Sequence, residues 1–202
     1  KNVVTVLAGA TGAQALPMLV APLLTRLCTP AEMGTFSVWL GVIAVTSIVA
    51  TLRFEAAMVL DHGERQQGLC FRVVAWSATW LALALTAGTI AARLLGLQAL
   101  ADMSWLEMLT IGAGTWLTAT GQLVLSYAAS HNLFGAAAKT KIVQAGTIAL
   151  CQLALLYAGL DSAGLLLGQL IGLCAGLAAA RWLLTPPMAR FAFMLDREQR
   201  AY

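Results

Sequence analysis

The chain has little charge: Asp, Glu, Lys and Arg together make up only 10% of its 202 residues, and it has two histidines. Hydrophobic residues account for 60% of the sequence, a share that ordinary soluble domains do not reach. So few basic residues exclude the dense positive surface of a nucleic-acid-binding protein, and we expect no nucleic-acid partner. The composition predicts an integral membrane protein.

Motifs for catalysis and metal binding are also missing. The sequence contains no GxSxG, no HExxH, no phosphate-binding glycine loop and no dinucleotide fingerprint. Its four cysteines form neither a CxxC pair nor a cluster with histidine. The acids Glu55, Asp102 and Glu107 would be available to a membrane enzyme, but nothing in the sequence brings them together. We therefore predict no enzymatic activity, no metal and no cofactor.

The charges that are present fall in short clusters between apolar runs of about 20 residues, the length that crosses a hydrocarbon core as a helix. This spacing predicts an all-α fold, a polytopic membrane bundle of six transmembrane helices in one domain, residues 1–185. Pro186 and Pro187 are expected to end the last helix. Residues 186–202 are expected to form a cytosolic amphipathic linker at the membrane surface. The predicted spans lie near residues 3–24, 34–60, 68–92, 105–127, 141–160 and 162–184.

Two local patterns predict details of the bundle. Thr29, Pro30 and Glu32 have the order of an N-cap, a proline at the first helical position and an acid in the first turn. In the sixth span a glycine recurs at every fourth residue, which permits close contact with a neighbouring helix along one ridge. These glycines are Gly164, Gly168, Gly172 and Gly176.

Ionisable and amide side chains inside the spans are the candidate site residues. Arg53 and Glu55 fall within the second span, where a charge costs about 2.5–3.5 kcal/mol and by default indicates a functional site. Alternatively, Arg53 reaches the headgroups from near the helix end. Gln14 in the first span has the simpler alternative of an interhelical hydrogen bond.

Polar residues also share helical faces in two later spans. The fourth span has a polar stripe that either lines an aqueous cavity or joins helices. In the fifth span Lys141, Gln144 and Gln152 share a face. The stripe consists of Thr115, Thr118, Gln122 and Ser126.

Basic residues predict the orientation of the bundle, because they are enriched in cytosolic loops. With the N-terminus inside, nine of them lie on or near the cytosolic side, whereas Arg26 and Arg93 lie outside. We therefore expect both ends of the chain in the cytosol. The nine are Lys1, Arg65, Arg72, Lys139, Lys141, Arg181, Arg190, Arg197 and Arg200.

Four stretches carry a family resemblance. The run from Pro22 to Phe36, PLLTRLCTPAEMGTF, followed by Leu52–Met58, LRFEAAM, resembles the opening signature of bacterial polysaccharide flippases of the O-antigen type. These flippases belong to the multidrug/oligosaccharidyl-lipid/polysaccharide exporter superfamily. Residues 141–145, KIVQA, and 164–172, GLLLGQLIG, are similar to later stretches of the same family.

The resemblance implies one six-helix half of a twelve-helix exporter in the bacterial inner membrane, followed by a cytosolic linker. It implies that the protein moves a polyprenyl-diphosphate-linked oligosaccharide, an O-antigen, capsule or exopolysaccharide repeat unit, between leaflets. Arg53 would then attract the diphosphate, and Glu55 would orient a neighbour or take part in cation coupling. Gln14, Gln122 and Gln144 would offer hydrogen bonds to sugar. Expected partners are this cargo, membrane lipids and the polysaccharide polymerase machinery.

Two alternative functions are consistent with the same residues. One is an exporter of drugs or of another lipid-linked precursor, since one fold serves several substrates. The other is a non-transporting membrane scaffold or truncated half, which the glycine ridge of the sixth span would serve equally well.

Overall fold

The computed structural model describes residues 15, 17–54, 64–96 and 103–199, with side chains described for all of these except 64–66 and 185–199. Within these ranges the fold is an all-α bundle, as predicted. Its helices are α1 (Pro17–Leu27), α2 (Pro30–Thr51), α3 (Glu64–Leu94), α4 (Trp105–Ser130), α5 (Phe134–Tyr157) and α6 (Asp161–Gln199).

Two helices begin with a capping box, in which a hydroxyl and a carboxylate satisfy backbone N–H groups at the helix start. At α2 the Glu32 N–H donates to Thr29 Oγ1 at 3.3 Å, and the Thr29 N–H donates to Glu32 Oε2 at 2.7 Å. Ser104 and Glu107 form the same pair of bonds at the start of α4. The N-cap predicted at Thr29 to Glu32 is confirmed.

Helix α4 lies at the centre of the bundle, in contact with α2, α3, α5 and α6. It runs parallel to α2, because Trp39 contacts Thr110 near the start of both helices and Ala50 packs against Ala119 further along. It runs antiparallel to α3, since Val74 packs against Leu123 whereas Ala82 lies beside Gly112. Successive described helices from α2 to α6 thus alternate in direction.

The closest helix pair is α5 with α6, and the predicted glycine ridge forms the contact. A Cβ atom added at Gly168 would lie 2.7 Å from the backbone nitrogen of Gln152, and one at Gly172 would lie 2.8 Å from that of Ile148. A Cβ atom added at Gly176 would lie 2.9 Å from the Cβ atom of Gln144. These separations are too short for any side chain, so backbone meets backbone along the ridge.

Four helical segments are long and apolar enough to cross a membrane: Pro30–Thr51, Gln67–Leu94, Phe134–Tyr157 and Asp161–Leu184. Only 17–44% of each apolar window is buried inside the bundle, so most of this apolar surface faces outward. On α3, Trp76 and Trp80 are exposed and meet edge to face, with ring centroids 5.8 Å apart. An outward apolar surface of this extent is typical of a bundle surrounded by lipid.

The observed helix bounds differ from the predicted spans at several points. Helix α2 ends at Thr51, not near residue 60, because Leu52 and Arg53 adopt left-handed backbone conformations with φ of 48° and 59°. Helix α5 begins at Phe134, which places Lys139 and Lys141 inside the helix rather than at its start. The prediction placed these two lysines at the membrane surface because charged residues are usually found there. The helix is nevertheless continuous on both sides of them. The first predicted span, 3–24, falls largely on residues outside those described.

Helix α6 continues through Pro186 and Pro187 to Gln199, so the prediction that these prolines end the helix is wrong. Proline has no backbone N–H and therefore removes a helical hydrogen bond, but its φ is fixed near the helical value, so the chain can stay in the helix. The segment expected as a separate linker from residue 186 is thus helical up to Gln199. Its amphipathic placement at the membrane and its cytosolic position stay predictions.

We expect Gly172→Ala to destabilise the protein by about 1–3 kcal/mol, the usual cost of overpacking a closely packed contact. Its added methyl group meets the backbone of Ile148. Thermal unfolding in detergent, followed by circular dichroism, measures the effect.

Gly146→Ala is the matched control, because nothing lies within 4 Å of a Cβ added at this glycine of α5. Alanine favours a helix over glycine, so this variant should unfold at or above the wild-type temperature. Equal unfolding temperatures for the two variants would contradict the close α5–α6 contact.

Candidate functional site

A cleft of ≈ 560 Å³ separates α1 and α2 from α5 and α6. Its first wall is apolar and consists of side chains from α1 and α2, including Leu24, Phe36 and Leu40. The cleft is within the usual size range of small-molecule sites, roughly 300–1,000 Å³. It is therefore large enough to hold part of a sizeable ligand.

The opposite wall of the cleft, here called the polar wall, carries polar side chains among the apolar residues Ala145, Ile148 and Ala149 of α5. Lys141, Gln144 and Gln152 of α5 line it, which confirms that these three residues share a face, and Gln169 of α6 joins them. Gln152 is buried, and its Nε2 donates to the carbonyl oxygen of Leu165 on α6 at 3.1 Å. One wall thus suits a hydrocarbon surface and the other suits hydrogen-bonding groups.

A second, smaller cavity of ≈ 90 Å³ lies between α4, α5 and α6, and we refer to it as the inner cavity. Lys141 and Gln144 line it as well as the cleft, so the two spaces share these side chains. Thr118 and Gln122 of α4 and Thr140 of α5 add further polar groups to its lining. The structure thereby brings together Gln122 and Gln144, two of the five residues proposed as a site from the sequence.

Two buried oxygen atoms in the lining of the inner cavity lack a hydrogen-bond partner among the described residues: Gln122 Oε1 and Thr140 Oγ1. The whole Thr140 residue is only 4% exposed. Leaving a buried polar atom unpaired costs about 1–3 kcal/mol, so such atoms ordinarily mark a place that water or a ligand occupies. The inner cavity has the size and the polarity for such an occupant.

The polar stripe predicted on α4 serves both of the roles left open for it. Thr115 is fully buried and shares a 2.8 Å hydrogen bond with Thr46 of α2, which joins the two helices. One turn further along, Thr118 and Gln122 face the inner cavity. One residue of the stripe therefore joins two helices, and two others line a cavity.

Lys141 is the only charged side chain among the described residues that line the cleft or the inner cavity. Its side chain is exposed to the cleft, and it makes no salt bridge within the part of the chain that the structure describes. It lies seven residues after the start of α5, about 10 Å along the helix axis. A cation at that depth needs water or an anion as its partner.

Arg53 lines neither the cleft nor the inner cavity. It follows the end of α2 in a left-handed conformation and is exposed, while the neighbouring Phe54 packs against the cluster of Val74, Leu123 and Tyr127. Left-handed backbone at a residue other than glycine costs about 1–3 kcal/mol and is concentrated at functional sites. Gln14 and Glu55, the remaining site residues proposed from the sequence, lie outside the described residues.

Positive charge is concentrated at the end of the bundle where Arg53 lies, here called the Arg53 end. Acidic side chains with described positions lie at the opposite end, beside Arg26 and Arg93; these acids are Glu32, Glu107 and Asp161. The Arg53 end carries Arg53, Arg72, Lys139 and Arg181.

A groove of ≈ 520 Å³ on the outer side of α3 and α4 differs in kind from the cleft. Its described lining residues include Leu83, Leu109 and Trp116, and none of them is charged. Thr79, one of its few polar residues, accepts a hydrogen bond from Trp116 Nε1 at 3.2 Å. This groove has no free polar feature to orient a ligand, so the cleft with its inner cavity is the better candidate site.

Clusters of three or more His, Cys, Asp or Glu side chains able to hold a metal do not occur in the described ranges. The four cysteines form no disulfide with one another. His131 lies over the ring of Tyr127, with 4.2 Å between centroids, at the end of α4. We therefore look to hydrogen bonding and charge for the chemistry of the site.

Bundle and cleft together indicate a helical protein embedded in a membrane, with a polar-walled site in its interior. Comparison of the chain with protein-family models, with curated proteins and with solved structures finds no match.

Thr140, Gln169 and Lys141 line these spaces but were not among the site residues proposed from the sequence. Helical spacing already grouped Lys141 with Gln144, so the signal for this residue was present. A single threonine inside an apolar helix gives no such signal, because its usual role is a hydrogen bond to its own helix backbone. Thr140 stands out only once its unpaired hydroxyl is seen in the cavity.

Labelling of introduced cysteines can test whether the cleft is hydrated. After replacement of the four native cysteines, we expect Lys141→Cys to react with a membrane-impermeant maleimide, because only a thiolate in water reacts rapidly. Mass spectrometry measures the labelled fraction.

Leu150→Cys is the control, since Leu150 is 71% exposed on α5 but does not line the cleft. In lipid its thiol should stay unlabelled. Equal labelling of the two positions would contradict the distinction between a hydrated cleft and a lipid-facing surface.

Proposed function

We propose that the protein transports an amphipathic, lipid-linked oligosaccharide across the bacterial inner membrane, as a flippase for a polyprenyl-diphosphate-linked repeat unit. The cargo is an O-antigen, capsule or exopolysaccharide unit. No bond is made or broken, so the protein acts as a carrier and not as an enzyme.

The observation that supports this proposal is the contrast between the two walls of the cleft. A lipid-linked sugar has a hydrocarbon part and a polar part, and it must cross the membrane core with its polar part solvated. The apolar wall from α1 and α2 suits the polyprenyl chain, whereas Lys141, Gln144 and Gln169 offer hydrogen bonds to sugar. A second set of helices facing this wall would complete an alternating-access pathway.

Arg53 keeps the role of attracting the diphosphate in this proposal. Its guanidinium stays charged and can bind phosphate oxygens with two parallel hydrogen bonds. Its exposure at the Arg53 end and its strained backbone are consistent with a first contact for cargo before the cleft. Glu55 would orient a neighbouring group or couple transport to a cation.

The proposed orientation places the Arg53 end in the cytosol. Basic residues are enriched on the cytosolic side of inner-membrane proteins, and this end carries Arg72, Lys139 and Arg181 besides Arg53. Both chain termini would then be cytosolic, and the lipid-linked cargo would enter from the leaflet where it is synthesised, in contact with the polymerase machinery after export.

A drug exporter is the second candidate within transport, and the size of the cleft and its apolar wall favour it. A non-transporting scaffold is the third candidate. Its support is the close helix packing along α6, which would serve assembly with other membrane proteins equally well.

Complementation tests the proposal. The full gene is expressed in a bacterium that lacks its polysaccharide flippase, and polymer at the cell surface is measured. We expect wild type to restore surface polymer and Arg53→Ala to reduce it at least tenfold, with Arg53→Lys intermediate because lysine keeps the charge but loses the fork.

Arg26→Ala is the control, because Arg26 is an exposed arginine at the opposite end of the bundle. This variant should transport normally at equal membrane levels. Full activity of Arg53→Ala would refute the role of Arg53. Absence of rescue by well-expressed wild type, across hosts with different repeat units, would refute the flippase function.

A further inference from the structure

The inner cavity combines three features that the proposed transport function does not explain. It contains a lysine without a carboxylate partner among the described residues, a buried hydroxyl without a hydrogen bond, and a buried amide oxygen without one. The groups belong to Lys141, Thr140 and Gln122, on two different helices. All three residues line the same small space.

The charge of the site is positive. Among the described residues that line the inner cavity or the cleft, Lys141 is the only charged one and none is acidic. The Thr140 hydroxyl and the amide N–H groups of Gln122 and Gln144 are additional donors. An ammonium group with neighbouring hydroxyl and amide donors binds a carboxylate well.

The unpaired acceptor, Gln122 Oε1, further restricts which chemical groups the inner cavity can bind. Gln122 Oε1 is buried and needs a hydrogen-bond donor, which a bare anion such as chloride cannot provide. A group that carries both a carboxylate and a hydroxyl meets both requirements. Sugar acids such as uronic acids have this combination.

The volume of the inner cavity limits how much of a ligand can enter it. A water molecule occupies about 30 Å³ of liquid, so ≈ 90 Å³ holds about three waters or a substituent of a few heavy atoms. A whole sugar ring does not fit. Most of the ring would stay in the cleft, at the junction formed by Lys141 and Gln144, and its carboxylate with an adjacent hydroxyl group would reach inward.

We propose that the inner cavity is a carboxylate subsite, formed by Lys141, Thr140, Gln122 and Gln144, that selects a repeat unit containing an acidic sugar. The proposal rests on the transport function proposed above, because it assumes a sugar in the cleft. It assigns to Lys141 a role in choosing the cargo, separate from the role of Arg53.

Binding of glucuronate to the purified full gene product, measured by isothermal titration calorimetry with glucose as the uncharged counterpart, tests the subsite. We expect glucuronate to bind wild type at least tenfold more tightly than glucose does. Lys141→Gln should abolish this preference, and Thr140→Val should weaken it severalfold. Lys141→Arg, which keeps the charge, should retain part of it.

Lys139→Gln is the matched control, because it removes the same charge two residues away on the same helix from a side chain that lines neither cavity. This variant should bind glucuronate as wild type does. Equal affinities for glucuronate and glucose, or an unchanged preference in Lys141→Gln, would overturn the proposal. Acetate that competes as well as glucuronate would also overturn it, since the site would then take free carboxylates.

Transport assays separate this inference from the flippase function. In hosts that make a neutral or a uronate-containing repeat unit, we expect wild type to export the acidic unit and Lys141→Gln to lose that export. Equal export of both units by wild type and by Lys141→Gln would refute the subsite and leave the flippase function intact. Glucuronate binding that depends on Lys141 without any export would support the subsite and refute the flippase function.

Discussion

The structure depends on the backbone contact between α5 and α6. Glycines at four-residue intervals let Gln152, Ile148 and Gln144 approach the α6 backbone to distances that no side chain would permit. All three residues also line the cleft, and Gln144 and Gln152 are among the polar side chains of that wall. The packing that holds the helix pair together therefore also fixes the position of the side chains that are available to a ligand, and the wall needs no loop to support it.

The two walls of the cleft differ in rigidity, because only one of them contains the backbone contact between α5 and α6. A pair of helices in backbone contact along its length cannot slide or separate without opening that contact, so the polar wall behaves as one body. The apolar wall is formed by α1 and α2, two helices joined by a short turn at Cys28 and Thr29. Changes in the width of the cleft are thus easier to accommodate on the apolar side.

Much of the fold could be predicted from the sequence, whereas the site was predicted only in part. Features that depend on neighbours within one helix were predicted correctly. They are the cap at Thr29, the glycine ridge, and the shared face of Lys141 and Gln144. The left-handed end of α2 and the continuation of α6 through Pro186 had no such local signal. The partners of Thr140 and Gln122 could not be predicted, because a cavity between α4, α5 and α6 depends on how three helices pack.

Helix α4 is the most enclosed helix of the bundle, yet it is not among the four segments apolar enough to span a membrane by composition. Threonines, glycines and Gln122 lower its hydropathy, and its neighbours shield them from lipid. Its contacts with α2, α3, α5 and α6 therefore give these polar groups a setting inside the bundle, so the neighbours of α4 matter more to its place in the membrane than its outward surface does.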